Sequence, residues 1–165
     1  MSESQQIENI VVESTRFGRL EVHSDKVIHL LGGLLGFPKS QRFVMLDHDK
    51  DSPFKWLQSM DEPFLAVPVT DPKVFFPDYH IRIKRDELAT LRVTSAEELV
   101  VMVVLSLRTD PADMTANLKG PIIIHAQKLI GRQVVLKESP FSTRHLLFPE
   151  LRNEQPREEV DSQDF

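Results

Sequence analysis

Pro53-Phe54-Lys55-Trp56-Leu57-Gln58-Ser59-Met60-Asp61-Glu62-Pro63-Phe64-Leu65-Ala66-Val67-Pro68-Val69 holds two short runs of β-favouring residues on either side of Asp61-Glu62. Aromatic and branched side chains suit a pleated, half-buried surface, and a polar pair between two such runs predicts a β-hairpin. Pro68 has no N–H to give to a ladder, so the second strand is expected at a sheet edge or at a bulge.

The same grammar extends upstream. Ile10-Val11-Val12 is a β-branched run, and Arg19-Leu20-Glu21-Val22-His23 alternates polar with apolar, which puts Leu20 and Val22 on one strand face. After a turn at Ser24-Asp25-Lys26, the run Val27-Ile28-His29-Leu30-Leu31 predicts a strand covered on both faces. Gly32-Gly33-Leu34-Leu35-Gly36-Phe37-Pro38 then predicts a structural turn with Phe37 buried, ahead of a strand at Arg42-Phe43-Val44-Met45-Leu46. The glycines lack a following Gly-Lys-Ser/Thr, dinucleotide spacing and a helix opening, so a phosphate loop is not supported.

Downstream, Asp71-Pro72 starts a turn and Phe75-Phe76-Pro77 excludes a long helix. Tyr79-His80-Ile81-Arg82-Ile83 alternates and predicts a half-buried strand. Arg85 to Leu91, with Asp86 and Glu87 early and Leu88 and Leu91 three apart, predicts a short amphipathic helix. Ser95 and Glu98 have capping-box spacing, but the β-branched run behind them predicts a turn and then a buried strand over Leu99–Leu105. Asp113 to Leu118 reads as one helical turn ended by a left-handed Asn117. Two strands, 121–125 and 132–137, follow across a loop containing Gly131. Short strands with turns every ten or so residues predict a mostly-β fold, a small antiparallel barrel or sandwich with one to three short helices.

A chain of 165 residues suffices for one domain, expected over residues 7–148 between a loose polar N-terminus, 1–6, and a disordered acidic tail, 149–165. Of the net charge of −5, that tail contributes −4 through six acidic and two basic side chains, leaving a nearly neutral body. Such a body has no electrostatic footprint for nucleic acid. The longest apolar run, Leu99–Leu105, is far too short to span a membrane as a helix. The N-terminus lacks the features of a secretory signal, and there are no cysteines, which together predict a cytoplasmic protein.

No catalytic constellation is apparent. The six histidines, at 23, 29, 48, 80, 125 and 145, include no i, i+2 or i, i+4 pair of metal-site type. Asp47, Asp49 and Asp51 alternate, but the glycine and terminal glutamate of a calcium loop are missing. No Gly-x-Ser-x-Gly elbow occurs. The expectation is therefore no enzyme, no metal and no cofactor. Arg82, Lys84 and Arg85 form the one compact basic cluster, read either as a solvated strand edge or as the start of an RNA-binding surface.

Gly33-Leu34-Leu35-Gly36-Phe37, Trp56-Leu57-Gln58-Ser59, Asp71-Pro72 with Asp78-Tyr79, and Met114-Thr115-Ala116-Asn117-Leu118 with Pro121 and Gln133, taken in this order, resemble the flagellar assembly factor FliW family over about Phe17 to Leu147. Leu35 stands where that family more often has proline. The resemblance implies a small cytoplasmic β-barrel-like protein that binds newly made flagellin and the translational repressor CsrA, and so relieves repression of flagellin translation. It offers Trp56, Gln58, Asp78, Tyr79, Asn117 and Gln133 as candidate partner-binding residues, with core and turn roles as the competing reading for Trp56 and Asn117. An RNA-binding β module that controls translation directly and an uncharacterised hydrolase are the alternative functions.

Overall fold

The computed structural model describes residues 8–154. Eleven strands account for most of its regular structure: β1 (Asn9–Ser14), β2 (Gly18–His23), β3 (Ile28–Leu30), β4 (Arg42–Asp47), β5 (Phe54–Ser59), β6 (Ala66–Thr70), β7 (Leu99–Ser106), β8 (Thr115–Ala116), β9 (Ile122–His125), β10 (Ile130–Gln133) and β11 (His145–Leu146). Two short helices, α1 (Arg85–Thr90) and α2 (Pro149–Glu154), and four single 3-10 turns complete it.

β1 and β2 form their own antiparallel hairpin. The other strands run in the order β11-β8-β7-β6-β5-β4-β3-β10-β9, and β9 pairs back onto β7, closing a seven-stranded barrel from β3, β4, β5, β6, β7, β9 and β10. β7 makes closure possible because one of its edges is shared. Its first half, Leu99–Met102, pairs with β9, and Leu105 and Ser106 pair with β8 on that edge, while Val103 and Val104 pair with β6 on the other.

Inward-facing residues fill the barrel. Phe43, Leu57, Val69, Met102, Ile122 and Ile124 are buried there with Ile28, Leu30, Leu34 and Leu65. Burial of a side chain such as Phe43 is worth about 1.5–3 kcal/mol. Outward-facing residues of the same strands are covered by satellite layers. Val44 lies beneath Val12 and Val22 of the β1–β2 hairpin. Ile123 lies beneath Leu91 and Val134, and Val103 and Leu105 lie beneath Tyr79, Leu118 and Leu147. This double coverage is why β9 is buried at all four positions although its neighbours in the ring alternate.

The β5–β6 hairpin forms as its sequence predicts, with register Leu57↔Val67 and Gln58↔Ala66. Its turn is locked by side chains. Ser59 Oγ accepts from the amides of Asp61 (3.0 Å) and Glu62 (2.8 Å) and bonds Ser40 Oγ (2.8 Å). Asp61 accepts from the Gln41 and Arg42 amides, both at 2.9 Å, and pairs with the Arg42 guanidinium at 2.8 Å. The Ser95–Glu98 capping box is also present, over a single 3-10 turn that leads straight into β7.

Several expectations change. The barrel is not wholly antiparallel, because β10 joins β3 in parallel, Ile130 opposite His29 and Gly131 opposite Leu30. Gly131 lies inside β10 rather than in a loop. The expected 132–137 strand is assigned to 130–133, with the Val134 and Leu136 amides continuing onto the Pro121 and Lys119 carbonyls. β6 sits inside the ring, and its ladder to β7 begins only at Val69, because Pro68, which the register sets opposite Leu105, has no N–H to give. β3 is buried at Ile28 and Leu30 and exposed at His29, hence covered on one face. Phe37 is half-buried.

Tyr79–Ile83 keeps its alternating burial but joins no ladder. The turn expected at 113–118 is a 3-10 turn at Pro111–Asp113 followed by β8, and Asn117 is not left-handed. Residues 149–154, expected as disordered tail, form α2 against the 111–113 turn, tied by Arg152–Asp113 at 2.6 Å. Residues 1–6 and 155–165 of the expected ends lie outside the described residues. Among the described residues no helix is long and apolar enough to cross a membrane.

A Cβ on Gly131 would stand 2.7 Å from the Ile123 carbonyl oxygen and 2.9 Å from both Ile124 Cγ1 and Leu30 Cδ2. Gly131→Ala should therefore cost about 2 kcal/mol, or roughly 4–8 °C in Tm for a domain of this size. An unchanged melting curve would mean that the closure tolerates a side chain there.

Burial pushes the Asp61 carboxyl up, but the Gln41 and Arg42 amides and the Arg42 guanidinium outweigh it and hold the group below its ordinary value of 3.8. A depressed carboxylate contributes stability that is present above the unfolded-chain value of about 3.9 and is lost as pH falls through the lower folded value. Asp61→Asn should thus be less stable than the parent at neutral pH in urea melts, with the gap narrowing below about pH 4. A gap that stays constant with pH would contradict the assignment.

Candidate functional site

The six candidate residues fall into two groups with no hydrogen bond between them. Trp56 and Gln58 project from the outer face of β5, the face opposite Leu57. Gln58 is fully buried. Its Oε1 accepts from Ser14 Oγ at 2.7 Å, and its Nε2 donates to the carbonyls of Ser59 (2.9 Å) and Pro63 (3.2 Å). Ser14 in turn accepts from the Phe17 amide at 2.9 Å, so Gln58 anchors the β1–β2 turn to the barrel. Trp56 donates to His48 Nδ1 at 3.2 Å, meets Phe17 edge-on at 5.7 Å, and carries the Arg16 guanidinium 4.4 Å above its ring. That last contact is a cation–π pair.

Tyr79, Asn117 and Gln133 converge on the 117–120 loop. The buried Tyr79 hydroxyl donates to the Leu118 carbonyl at 2.7 Å. Burial pushes its phenol well above the ordinary range, so it stays a neutral donor. Asn117 Oδ1 accepts from the Lys119 (3.1 Å) and Gly120 (2.9 Å) amides, an Asx-type turn. Gln133 Nε2 donates to the Gly120 carbonyl at 2.8 Å, while its Oε1 accepts from the Leu35 amide at 2.8 Å. Gln133 therefore joins the 117–120 loop to the glycine-rich turn. Asp78, next to Tyr79, is exposed.

The effect of this bracing appears at Leu35. Gly33 has φ +73° and a Cβ there would stand 2.7 Å from the Phe37 carbonyl oxygen, so only glycine lets the turn close. Leu34 points into the core, and Leu35 is left 54% exposed. Phe37 contacts Phe64, itself 62% exposed, at 6.5 Å between ring centroids. Leu35 and Phe64 are apolar surface that residue-by-residue reading did not single out, because exposure of a lone Leu or Phe leaves no mark in sequence.

Nothing in the spacing of the six histidines sets His125 apart from the rest. It is 1% exposed, and its Nδ1 accepts from the Gln127 (3.2 Å) and Lys128 (3.1 Å) amides, which places the ring proton on Nε2. Among the described residues no group of three or more His, Asp or Glu side chains is placed to hold a metal ion.

Fold and site together define a small closed β-barrel whose polar candidates brace its own loops and whose exposed Leu35 and Phe64 are carried on loops. A family model described as FliW protein matches residues 11–147. The flagellar assembly factor FliW of Geotalea uraniireducens (strain Rf4) is 38% identical over 137 residues, 83% of each chain. That of Desulfitobacterium hafniense (strain DSM 10664 / DCB-2) is 39% identical over 141 residues, 86% of this chain and 93% of its own. A crystal structure of the flagellar assembly factor FliW matches with a TM-score of 0.78 at 32% identity, over 84% of this chain and 97% of that one. The chain belongs to the FliW family of flagellar assembly factors.

Gln133→Ala removes a bond to the buried Gly120 and a bond to Leu35 together. It should cost about 1–2 kcal/mol and speed hydrogen exchange at the Leu35 amide more than at the barrel amides of β5. Equal exchange at Leu35 in parent and variant would show that the turn holds without the bridge.

Proposed function

We propose that this chain acts in the cytoplasm by binding proteins, without a chemical step: it holds flagellin in one state and the translational repressor CsrA in the other. Membership of the FliW family, over nearly the whole described chain, carries this reading. While cytoplasmic flagellin is plentiful it occupies the factor and leaves CsrA on flagellin messenger RNA. As flagellin is exported, the freed factor captures CsrA and translation resumes. Such a switch needs only a difference in affinity between the two states of the factor.

The candidate residues enter this reading in different ways. Asp78 offers an exposed carboxylate for direct contact. Trp56, Gln58, Tyr79, Asn117 and Gln133 act by fixing the loops that partners meet, since their polar groups are engaged within the chain. Leu35 on the glycine-rich turn and Phe64 on the β5–β6 turn supply apolar contact area. The net charge of −5 favours encounter with a basic RNA-binding protein, an effect that salt screens.

Calorimetric titration at near-physiological salt tests the switch. CsrA should bind, and saturating flagellin should weaken that binding, with CsrA weakening flagellin binding by the same factor, as linkage requires. Equal CsrA affinity with and without flagellin, or no CsrA binding, would sink the reading. Binding of flagellin messenger RNA in the absence of CsrA, falling steeply with salt, would favour a direct RNA-binding module instead.

A further inference from the structure

The outward edge of β7 is open at its start, and the reason lies in the sequence opposite. The β6–β7 register pairs Thr70 with Val103, so Pro72 would stand opposite Val101. Proline has no N–H to continue the ladder, and the chain leaves in the 3-10 turn Pro72–Val74. On the other edge, the Ala126 amide bonds the Glu98 carbonyl at 2.8 Å. Bonded pairs alternate along an antiparallel ladder, so Val100 and Met102 bond to β9 while Leu99 and Val101 turn their N–H and C=O groups outward. The Leu99 N–H is taken by the Ala96 carbonyl of the preceding 3-10 turn, so the Leu99 carbonyl and the Val101 N–H and C=O are the groups on this edge without a backbone partner among the described residues.

The extended segment His80–Ile83 also makes no backbone hydrogen bond among the described residues. An open groove of about 680 Å³ is lined by Ile81 and Ile83 from this segment, by Leu99 and Val101 from β7, and by Lys73 and Arg85. No carboxylate lines it. Arg82 in the segment and Lys84 and Arg85 just after it are exposed, and neither these three nor Lys73 is in an ion pair within the described residues. Half-buried apolar side chains, unpaired backbone and unpaired cations thus occur together.

From this juxtaposition we infer that the groove is a strand-addition site for an extended acidic segment of a partner protein. The segment's backbone bonds the Leu99 carbonyl and the Val101 N–H and C=O, its apolar side chains rest on Ile81, Ile83 and Val101, and its carboxylates face Lys73 and Arg85, the two cations that line the groove. Main-chain bonds supply affinity in this mode, and alternate side chains supply specificity. Single-stranded RNA fits less well, because it needs exposed aromatic platforms and the one tyrosine here, Tyr79, is 3% exposed with its hydroxyl bonded inward. The inference stands apart from the flagellin–CsrA reading.

A blocked seven-residue peptide alternating valine with glutamate, added to the full chain, provides the test. It should bind by fluorescence anisotropy and slow hydrogen exchange at the Val101 amide. Reversing the charges that line the groove in the double variant K73E/R85E should weaken binding by about tenfold or more and favour a valine–lysine peptide instead. N-methylation of the peptide on its ladder-facing amides should abolish binding without altering the protein. Binding indifferent to N-methylation or to charge reversal would overturn the proposal. So would a Val101 amide already protected in the free chain: at all concentrations this assigns the edge to the chain's own residues, and increasingly with concentration to a second copy. Stronger protection by a single-stranded oligonucleotide than by the peptide would assign the groove to RNA.

Discussion

The pairing of β3 with β10 is the contact on which the barrel depends. Strands β3 to β7 follow one another by antiparallel neighbours, and such a row leaves two open edges. β9 and β10 bridge those edges, β9 onto β7 and β10 onto β3. The second contact is parallel, and it joins residues about a hundred positions apart in the chain. It requires three backbones to lie side by side where Ile124, Gly131 and Leu30 meet, and a glycine is the residue that permits the approach. Interior residues such as Phe43 and Ile122 lose all contact with solvent because that ring is shut.

Closure also determines what the surface can offer. Side chains such as Phe43, Leu57 and Ile122 fill the interior, and the exposed polar and apolar groups are carried outside the ring. The outer layers are held by a few polar residues with most of their bonding capacity used. Gln58 pins the β1–β2 turn, Tyr79 and Asn117 shape the 117–120 loop, and Gln133 couples that loop to the turn bearing Leu35. Residues that look suited to recognition thus do their work one step back, by presenting other groups. This arrangement lets a binding protein keep apolar side chains such as Leu35 and Phe64 in water at fixed positions, at lower entropic cost to association than a floppy loop would carry.

Membership of the FliW family and the geometry agree on a protein that acts through surfaces. The glycine-rich turn, the 117–120 loop and the β5 outer face, which carry the family resemblance in sequence, are the places where buried side-chain hydrogen bonds concentrate. Their residue types are explained by those bonds. The open stretch of β7 is of another kind: its start is unpaired because Pro72 ends the ladder, and the cations beside it discourage pairing with just any strand.

Local sequence determined the β character of the chain, the hairpin at Asp61-Glu62, the capping box at Ser95 and Glu98, the inward face of Leu20 and Val22, and the family. Each of these is a short-range pattern of side-chain alternation, turn chemistry or ordered motif, and needs no knowledge of distant neighbours. Tertiary structure alone decided that Gly131 lies in a strand, that Tyr79–Ile83 stays extended without a ladder, that Pro68 sits inside the ring, and that Gln133 braces Leu35. Those outcomes depend on which strands meet across long stretches of chain. Alternation says which face of a strand is buried, but a backbone N–H or C=O finds its partner only when another segment arrives, and local sequence does not record that arrival.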